Sequence, residues 1–205
     1  MKTYRIKTVS SVETIDWEPV GKAFVDTYLW LDNGYKPKTF AQLVFAEGYG
    51  FVVRMTSFEK DPRATHKNTD ELVCQDSCME FFAQFSDTDE RYVNIEMNPY
   101  GTVLAFIGKD RFDRTSVREL TGSTFEVTAE RTDDAWSVTA KVPLSKLTEL
   151  YGVDSSLFVS GYRFRGNFYK CGDLCEIPHY GMWNPVGTGS PDFHRPEFFG
   201  EFEIR

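Results

Sequence analysis

Apolar and polar side chains alternate with a period of two through most of the chain, the signature of strands with one face buried. Residues 39–47 and 51–58 form one hairpin about Glu47-Gly48-Tyr49-Gly50, and residues 76–86 and 92–98 a second about Asp87-Thr88-Asp89-Glu90-Arg91. Pro99-Tyr100-Gly101 then turns the chain into a strand at 102–107. The alternation returns at residues 1–9, 23–30, 124–131, 135–142, 157–169 and 199–205. Only residues 143–151 carry a helical period, and Gly152 ends it. About ten strands with closely spaced turn signals predict an all-β fold, an antiparallel β-sandwich of jelly-roll type with one short helix. No repeat, linker or low-complexity tract interrupts the pattern, so residues 1–205 are expected to form a single domain.

Two stretches are too long to be turns, and long loops in a compact domain tend to carry function. Residues 59–75 are acidic and irregular. Residues 170–198 interleave glycine and proline with Tyr180, Trp183, Phe193 and His194.

Alternation also sorts side chains by face. Along 76–85, Met79, Phe81, Ala83 and Phe85 share the core side, while Asp76, Cys78, Glu80, Phe82 and Gln84 share the other. Along 92–98, Tyr92, Asn94, Glu96 and Asn98 point away from Val93, Ile95 and Met97. Along 162–169, Arg163, Arg165, Asn167 and Tyr169 oppose Phe164 and Phe168. If these strands are neighbours, Glu80 or Glu96 can pair with Arg163 or Arg165. Planar carboxylates, guanidiniums and carboxamides match adjacent sugar hydroxyls, and aromatic rings match the C–H faces of a pyranose. The same face would serve equally as the solvent side of a sandwich. Trp136 alternates with Val138, Ala140 and Val142 and belongs to the core; Trp17 and Trp30 read as packing residues. Trp183 and Phe193 have no strand face to join and are the candidate stacking platforms.

Composition narrows the classes. Eighteen Phe, ten Tyr and four Trp make the chain 16% aromatic, which excludes disorder. Lys and Arg number 23 against 31 Asp and Glu, for a net charge of −8, so a nucleic-acid partner is not expected. No apolar run approaches the ~20 residues of a membrane span, and no membrane partner is expected. The first nine residues lack the apolar core of a secretory signal, which points to the cytoplasm. The cysteines form two Cys-x3-Cys pairs, Cys74/Cys78 and Cys171/Cys175, wider than the usual zinc spacing. Antiparallel register would permit 74–175 and 78–171 bridges, although a reducing cytosol favours free thiols. His194 reads as a hydrogen-bonded loop residue rather than a base. The alternative to binding is a sugar-active enzyme, a glycoside hydrolase or lyase with Glu80 or Glu96 as acid or base. Neighbouring arginines would hold both carboxyls low, the wrong direction for a general acid.

Five motifs follow in order: Gln75-Asp-Ser-Cys-Met-Glu-Phe-Phe82, Tyr92-x-Asn-x-Glu-x-Asn-x2-Gly101, Gly166-Asn-Phe-Tyr-Lys-Cys-Gly172, Trp183-Asn-Pro185 and Phe193-His-Arg-Pro-Glu-Phe-Phe-Gly200. Over residues 20–205 this set resembles the family-9 carbohydrate-binding modules, and especially their stand-alone relatives. The resemblance implies a β-sandwich, often with structural calcium, that binds mono- or oligosaccharides or glycan ends without catalysis, in the service of carbohydrate catabolism. It places the second platform on Phe193 and the strand carboxamide on Asn167, with Trp183 near the site. Where the family has its first platform tryptophan, this chain has Leu72-Val73-Cys74. The expected ligand set is thus Glu80, Asn94, Glu96, Arg163, Arg165, Asn167, Tyr169, Trp183 and Phe193. A calcium ion would draw on Glu59, Asp61, Asp70 or Asp76, hard oxygen donors in or beside the irregular acidic loop.

Overall fold

The computed structural model describes all residues, Met1–Arg205. Thirteen strands run in chain order: β1 Thr3–Val9, β2 Ala23–Phe24, β3 Thr39–Ala46, β4 Gly50–Ser57, β5 Cys78–Gln84, β6 Tyr92–Met97, β7 Val103–Gly108, β8 Arg114–Ser116, β9 Glu126–Arg131, β10 Trp136–Pro143, β11 Arg163–Cys171, β12 Tyr180–Met182 and β13 Gly200–Ile204. Two helices join them, α1 Val117–Thr121 and α2 Leu144–Tyr151. Both hairpins form as the alternation predicts, in the registers Thr39↔Ser57 to Ala46↔Gly50 and Met79↔Met97 to Ala83↔Val93.

The strands lie in the order β8-β7-β6-β5-β11-β13-β1-β3-β4-β10-β9, curled into two layers. Strand β1 belongs to both. Thr3–Ile6 pair with β13 in the first layer, and Lys7–Val9 pair with β3 in the second. Both pairings are parallel, so the sandwich is mixed rather than wholly antiparallel. Thirty-four buried residues form the core between the layers. Phe51 of β4 meets Phe164 of β11 and also Phe85, both at 5.2 Å between ring centroids. Each buried ring contributes roughly 1.5–3 kcal/mol of transfer free energy. Trp136 is 1% exposed within this core.

Three expected elements differ. The alternation at 23–30 reads as one strand, but only Ala23 and Phe24 pair with β3. The chain then leaves the sheet and makes a single antiparallel bridge between Thr27 and Met182. A Cβ on Gly181 would lie 2.6 Å from the Tyr28 ring, so only glycine lets the two segments approach. The stretch at 157–169 is divided: Ser155–Leu157 form a 3-10 turn, and β11 starts at Arg163 and continues to Cys171. Helix α1 was not evident in the alternation; the Ser116 hydroxyl caps it by accepting from Glu119 N, and Gly122 ends it in the left-handed region.

The loop of residues 172–199 folds back over the outer face of the first layer. Beneath it lies a second apolar cluster of eleven buried residues, among them Phe82, Tyr92, Leu104, Tyr169, Met182, Phe193 and Phe199. The polar strand face of the sequence is therefore largely covered, and it opens to solvent at the edge of this cover.

A cleft on the outer face of the first layer

Glu80 and Glu96 stand directly opposite each other on β5 and β6, 3% and 4% exposed, at the floor of a cleft of about 360 Å³. Strand pairing places such Cβ atoms about 4.5–5.5 Å apart with side chains on one face. The two carboxyls thus share one floor. Glu96 accepts from Asn94 Nδ2 at 2.9 Å, and Glu80 accepts from Cys171 Sγ at 2.9 Å. Burial, then the charge of Glu96, holds the Glu80 carboxyl well above its usual range. Burial likewise lifts Glu96 to about 7, against the pull of Arg114.

Arg163 and Arg165 are not the partners of these carboxylates. Arg163 pairs with Glu201 at 3.2 Å and Glu203 at 3.3 Å, across β11 and β13. Arg165 donates to the carbonyls of Pro196 and Glu197 at 2.9 and 3.2 Å. Both side chains are exposed and lie outside the cleft. Arg111 and Arg114 supply its cations instead. Arg114 Nη1 is 3.7 Å from Glu96 Oε1, and its guanidinium lies 5.0 Å over the Phe106 ring. Arg111 Nε is 3.9 Å from Asp192 Oδ1. The tight return from β7 to β8 puts these arginines here. A Cβ on Gly108 would lie 2.5 Å from the Arg114 Cβ, so the return requires glycine. With Arg163 and Arg165 elsewhere, burial decides both carboxyls, and the expected lowering gives way to a rise.

Three rings wall the cleft. Trp30, delivered by the Thr27–Met182 bridge, meets Phe193 at 5.3 Å and Tyr180 at 6.0 Å. Its indole nitrogen donates to Thr188 O at 2.8 Å, which fixes the ring. Phe193 is stacked on Tyr169 at 4.0 Å, and Tyr169 donates its hydroxyl to Phe193 O at 3.2 Å. Tyr169 is wholly buried and supports the wall from behind. His194 also lines the cleft and is held by Tyr92 at 2.8 Å; burial first, and the adjacent arginines second, bring it to about 3, so it stays neutral.

Like Tyr169, three further expected contacts do not line the cleft: Asn94, 1% exposed, serves to hold Glu96, and Trp183 and Asn167 are structural. Trp183 does not face the cleft; it turns into the main core against Phe202 at 5.3 Å and Phe168 at 5.8 Å. Asn167 is wholly buried, donating to Asn184 O at 2.8 Å and accepting from Asn184 N at 2.9 Å. Together they clamp the Trp183-Asn184-Pro185 segment onto β11. Tyr180 was expected to touch ligand from the long loop; Trp30, Arg111, Arg114 and Asp173 were missed because none sits on a long alternating strand, Arg114 opening only the three-residue β8. The Lys109-Asp-Arg-Phe-Asp-Arg114 run after a strand, and a tryptophan just before Asp32-Asn-Gly34, were the available signals.

The four acidic residues considered for calcium do not gather. Glu59 accepts from Ser57, Ser77 and Trp136 and pairs with the buried Lys170 ammonium at 3.2 Å. Asp76 accepts from Thr65 N, Thr65 Oγ1, His66 N and Asn98 Nδ2. Asp70 accepts from Ser116 and pairs with Arg118 at 3.3 Å, and Asp61 lines a surface groove together with Glu59. Glu59 and Asp76 are committed to protein donors, Asp70 Oδ1 is buried without a hydrogen-bond partner, and the four carboxylates do not come together as one ligand set for a calcium ion.

The sequence profile described as carbohydrate-binding family 9 matches residues 10–204. The chain belongs to this family. A protein of Bacteroides uniformis ATCC 8492, described provisionally as carbohydrate-binding, superposes with a TM-score of 0.85 at 26% identity, covering 100% of this chain and 99% of that one. A family-9 module of Caldicellulosiruptor kristjanssonii, solved with glucose, shares the fold at a TM-score of 0.66 and 13% identity, covering 100% and 96%. The cellotriose complex of a family-9 module from the same organism gives 0.64 and 13%, covering 100% and 94%. No curated protein matches the chain. Family-9 membership accounts for the sandwich.

Proposed function

We propose that this family-9 protein binds carbohydrate without catalysis, holding a mono- or oligosaccharide or the end of a glycan chain in the Glu80/Glu96 cleft, in the service of carbohydrate catabolism. One observation supports the reading above all: a floor of paired carboxyls and guanidiniums faces a wall of three rings. A pyranose laid against Trp30 and Phe193 would present its hydroxyls to Glu80, Glu96 and Arg114. Arg114 Nη1 is buried without a hydrogen-bond partner in the free protein, a donor held ready for a hydroxyl. A cleft of about 360 Å³ has room for a small ligand, not for a long stretch of polymer. Affinity for so small a site is expected between millimolar and micromolar, about −4 to −8 kcal/mol.

Titration calorimetry over a panel of mono- and oligosaccharides, with glucose and cellotriose included, tests the reading. Saturable heat with at least one sugar, weakened tenfold or more in Trp30→Ala and Arg114→Ala, is the expected result. No heat across the panel, or undiminished affinity in both variants, would overturn it.

A further inference from the structure

Beyond the sugar reading, the floor of the cleft holds a second arrangement. Cys78 on β5 and Cys171 on β11 face each other in register, although they come from different Cys-x3-Cys pairs. Glu80, two residues further along β5 on the same face, already accepts from the Cys171 thiol. One sulfur from each cysteine and one Glu80 oxygen lie within 4.8 Å of one another, the one cluster in the molecule with three such ligand atoms so placed. All three side chains are at most 3% exposed, and two rigid neighbouring strands fix them.

We propose that Cys78, Cys171 and Glu80 form a zinc site whose fourth position opens into the cleft. The donor set selects the metal. Two thiolates and a carboxylate suit a borderline-soft, four-coordinate ion, whereas calcium requires hard oxygen donors throughout. With Zn–S near 2.3 Å and Zn–O near 2.0 Å, the edges of a zinc tetrahedron are roughly 3.3–3.8 Å, so Cys171 Sγ and Glu80 Oε1, 2.9 Å apart in the free protein, would open slightly around the ion while the set as a whole stays within its 4.8 Å span. Glu80 and Cys171 line the cleft, which gives the ion its way in and leaves room for water or a ligand hydroxyl as the fourth donor. Binding releases both thiol protons, together with any proton carried by the Glu80 carboxyl, to solvent and leaves a centre of charge −1, with Arg111 and Arg114 in the same cleft to offset it. The remaining cysteines take no part as ligands: Cys175 lies on a different groove, and Cys74 is only half-buried at the cleft wall.

The site does not depend on the sugar reading, and the test separates them. Reduced, chelator-treated protein is titrated with Co2+ and then with Zn2+ in competition with a chromophoric chelator, without sugar. The expected result is one Co2+ per chain, a thiolate-to-cobalt charge-transfer band in the near ultraviolet, visible bands of tetrahedral intensity, and their displacement by Zn2+. Cys78→Ser and Cys171→Ser should each weaken Zn2+ binding at least tenfold, while Cys175→Ser leaves it unchanged. Absence of the charge-transfer band in the wild-type protein would overturn the proposal whatever the variants do. So would an unchanged band intensity together with an unchanged Co2+ affinity in a folded Cys171→Ser variant. Calorimetry with sugar, run with and without Zn2+, reports the other reading independently.

Discussion

Lys170 and Cys171 are consecutive on β11, yet their side chains enter two polar clusters finished to very different degrees. Lys170 turns inward and is wholly buried; its ammonium donates to Ser77, to the Cys171 carbonyl and to His179 Nε2 at 2.7–2.9 Å. The Glu59 carboxylate beside it collects two serine hydroxyls, an indole N–H and the Tyr35 hydroxyl. Burial drives Glu59 upward, but Lys170, Trp136 and Ser77 outweigh it and bring the carboxyl to about 2. His179 donates Nδ1–H to Ile177 O and is lowered to about 4 by burial and by Lys170, so its Nε2 is free to accept. On the Cys171 side two carboxyls share a floor, both raised, and a guanidinium nitrogen has no hydrogen-bond partner. Charge that is fully met by the protein stabilises one structure. Charge left partly unmet on a rigid floor costs stability and is held for something from outside.

The largest expected effect breaks the finished cluster. Lys170→Met keeps the volume but leaves Glu59 buried without its cation, and should cost about 3–5 kcal/mol in denaturant unfolding. Glu59→Gln leaves Lys170 buried without its anion and should cost about 3 kcal/mol at neutral pH. Glu59 binds protons less readily folded than unfolded, so its contribution is complete above its unfolded pKa. The stability gap between wild type and Glu59→Gln should therefore be flat above pH 5, narrow below about 4.5, and close toward pH 2. The unfinished cluster should respond in the opposite sense. Glu96→Gln should leave stability unchanged or raise it by about 1 kcal/mol, while sugar affinity in calorimetry falls about tenfold. The smallest effect is expected outside both clusters. Arg163→Ala removes an exposed ladder of ion pairs and should change stability by less than about 1 kcal/mol, with sugar affinity untouched.

Period-two alternation carried the hairpins, the two-sided sorting of β5 and β6, and with them the placement of Glu80 and Glu96 on one outer face. It could not tell Trp183 from Trp30. Both rings belong to irregular segments, and their directions are decided by long-range contacts: Asn167 and Asn184 turn one inward, and the Thr27–Met182 bridge carries the other to the cleft. The arginines failed for a related reason. Alternation correctly gave Arg163 and Arg165 a common face, but a sheet face is wider than a site. The carboxylates that hold Arg163 came from β13, joined to β11 by a pairing that no local pattern encodes, and Arg165 turned to the Pro196 and Glu197 carbonyls. Charge near an acidic loop likewise suggested calcium, whereas Lys170, a residue of a strand, supplies the cation from within.

Strand β1 has a consequence for the order in which the molecule is made. Its first half waits for β13 and its second half pairs with β3, so the seam between the layers joins the first strand of the chain to the last. Until Gly200–Ile204 have emerged from the ribosome, Thr3–Ile6 have an open edge and the curled sheet has a gap beside β11. Such contacts between distant parts of the sequence place the protein among slow folders. The second layer can assemble while synthesis continues, but the face that bears the cleft is sealed only by the final strand.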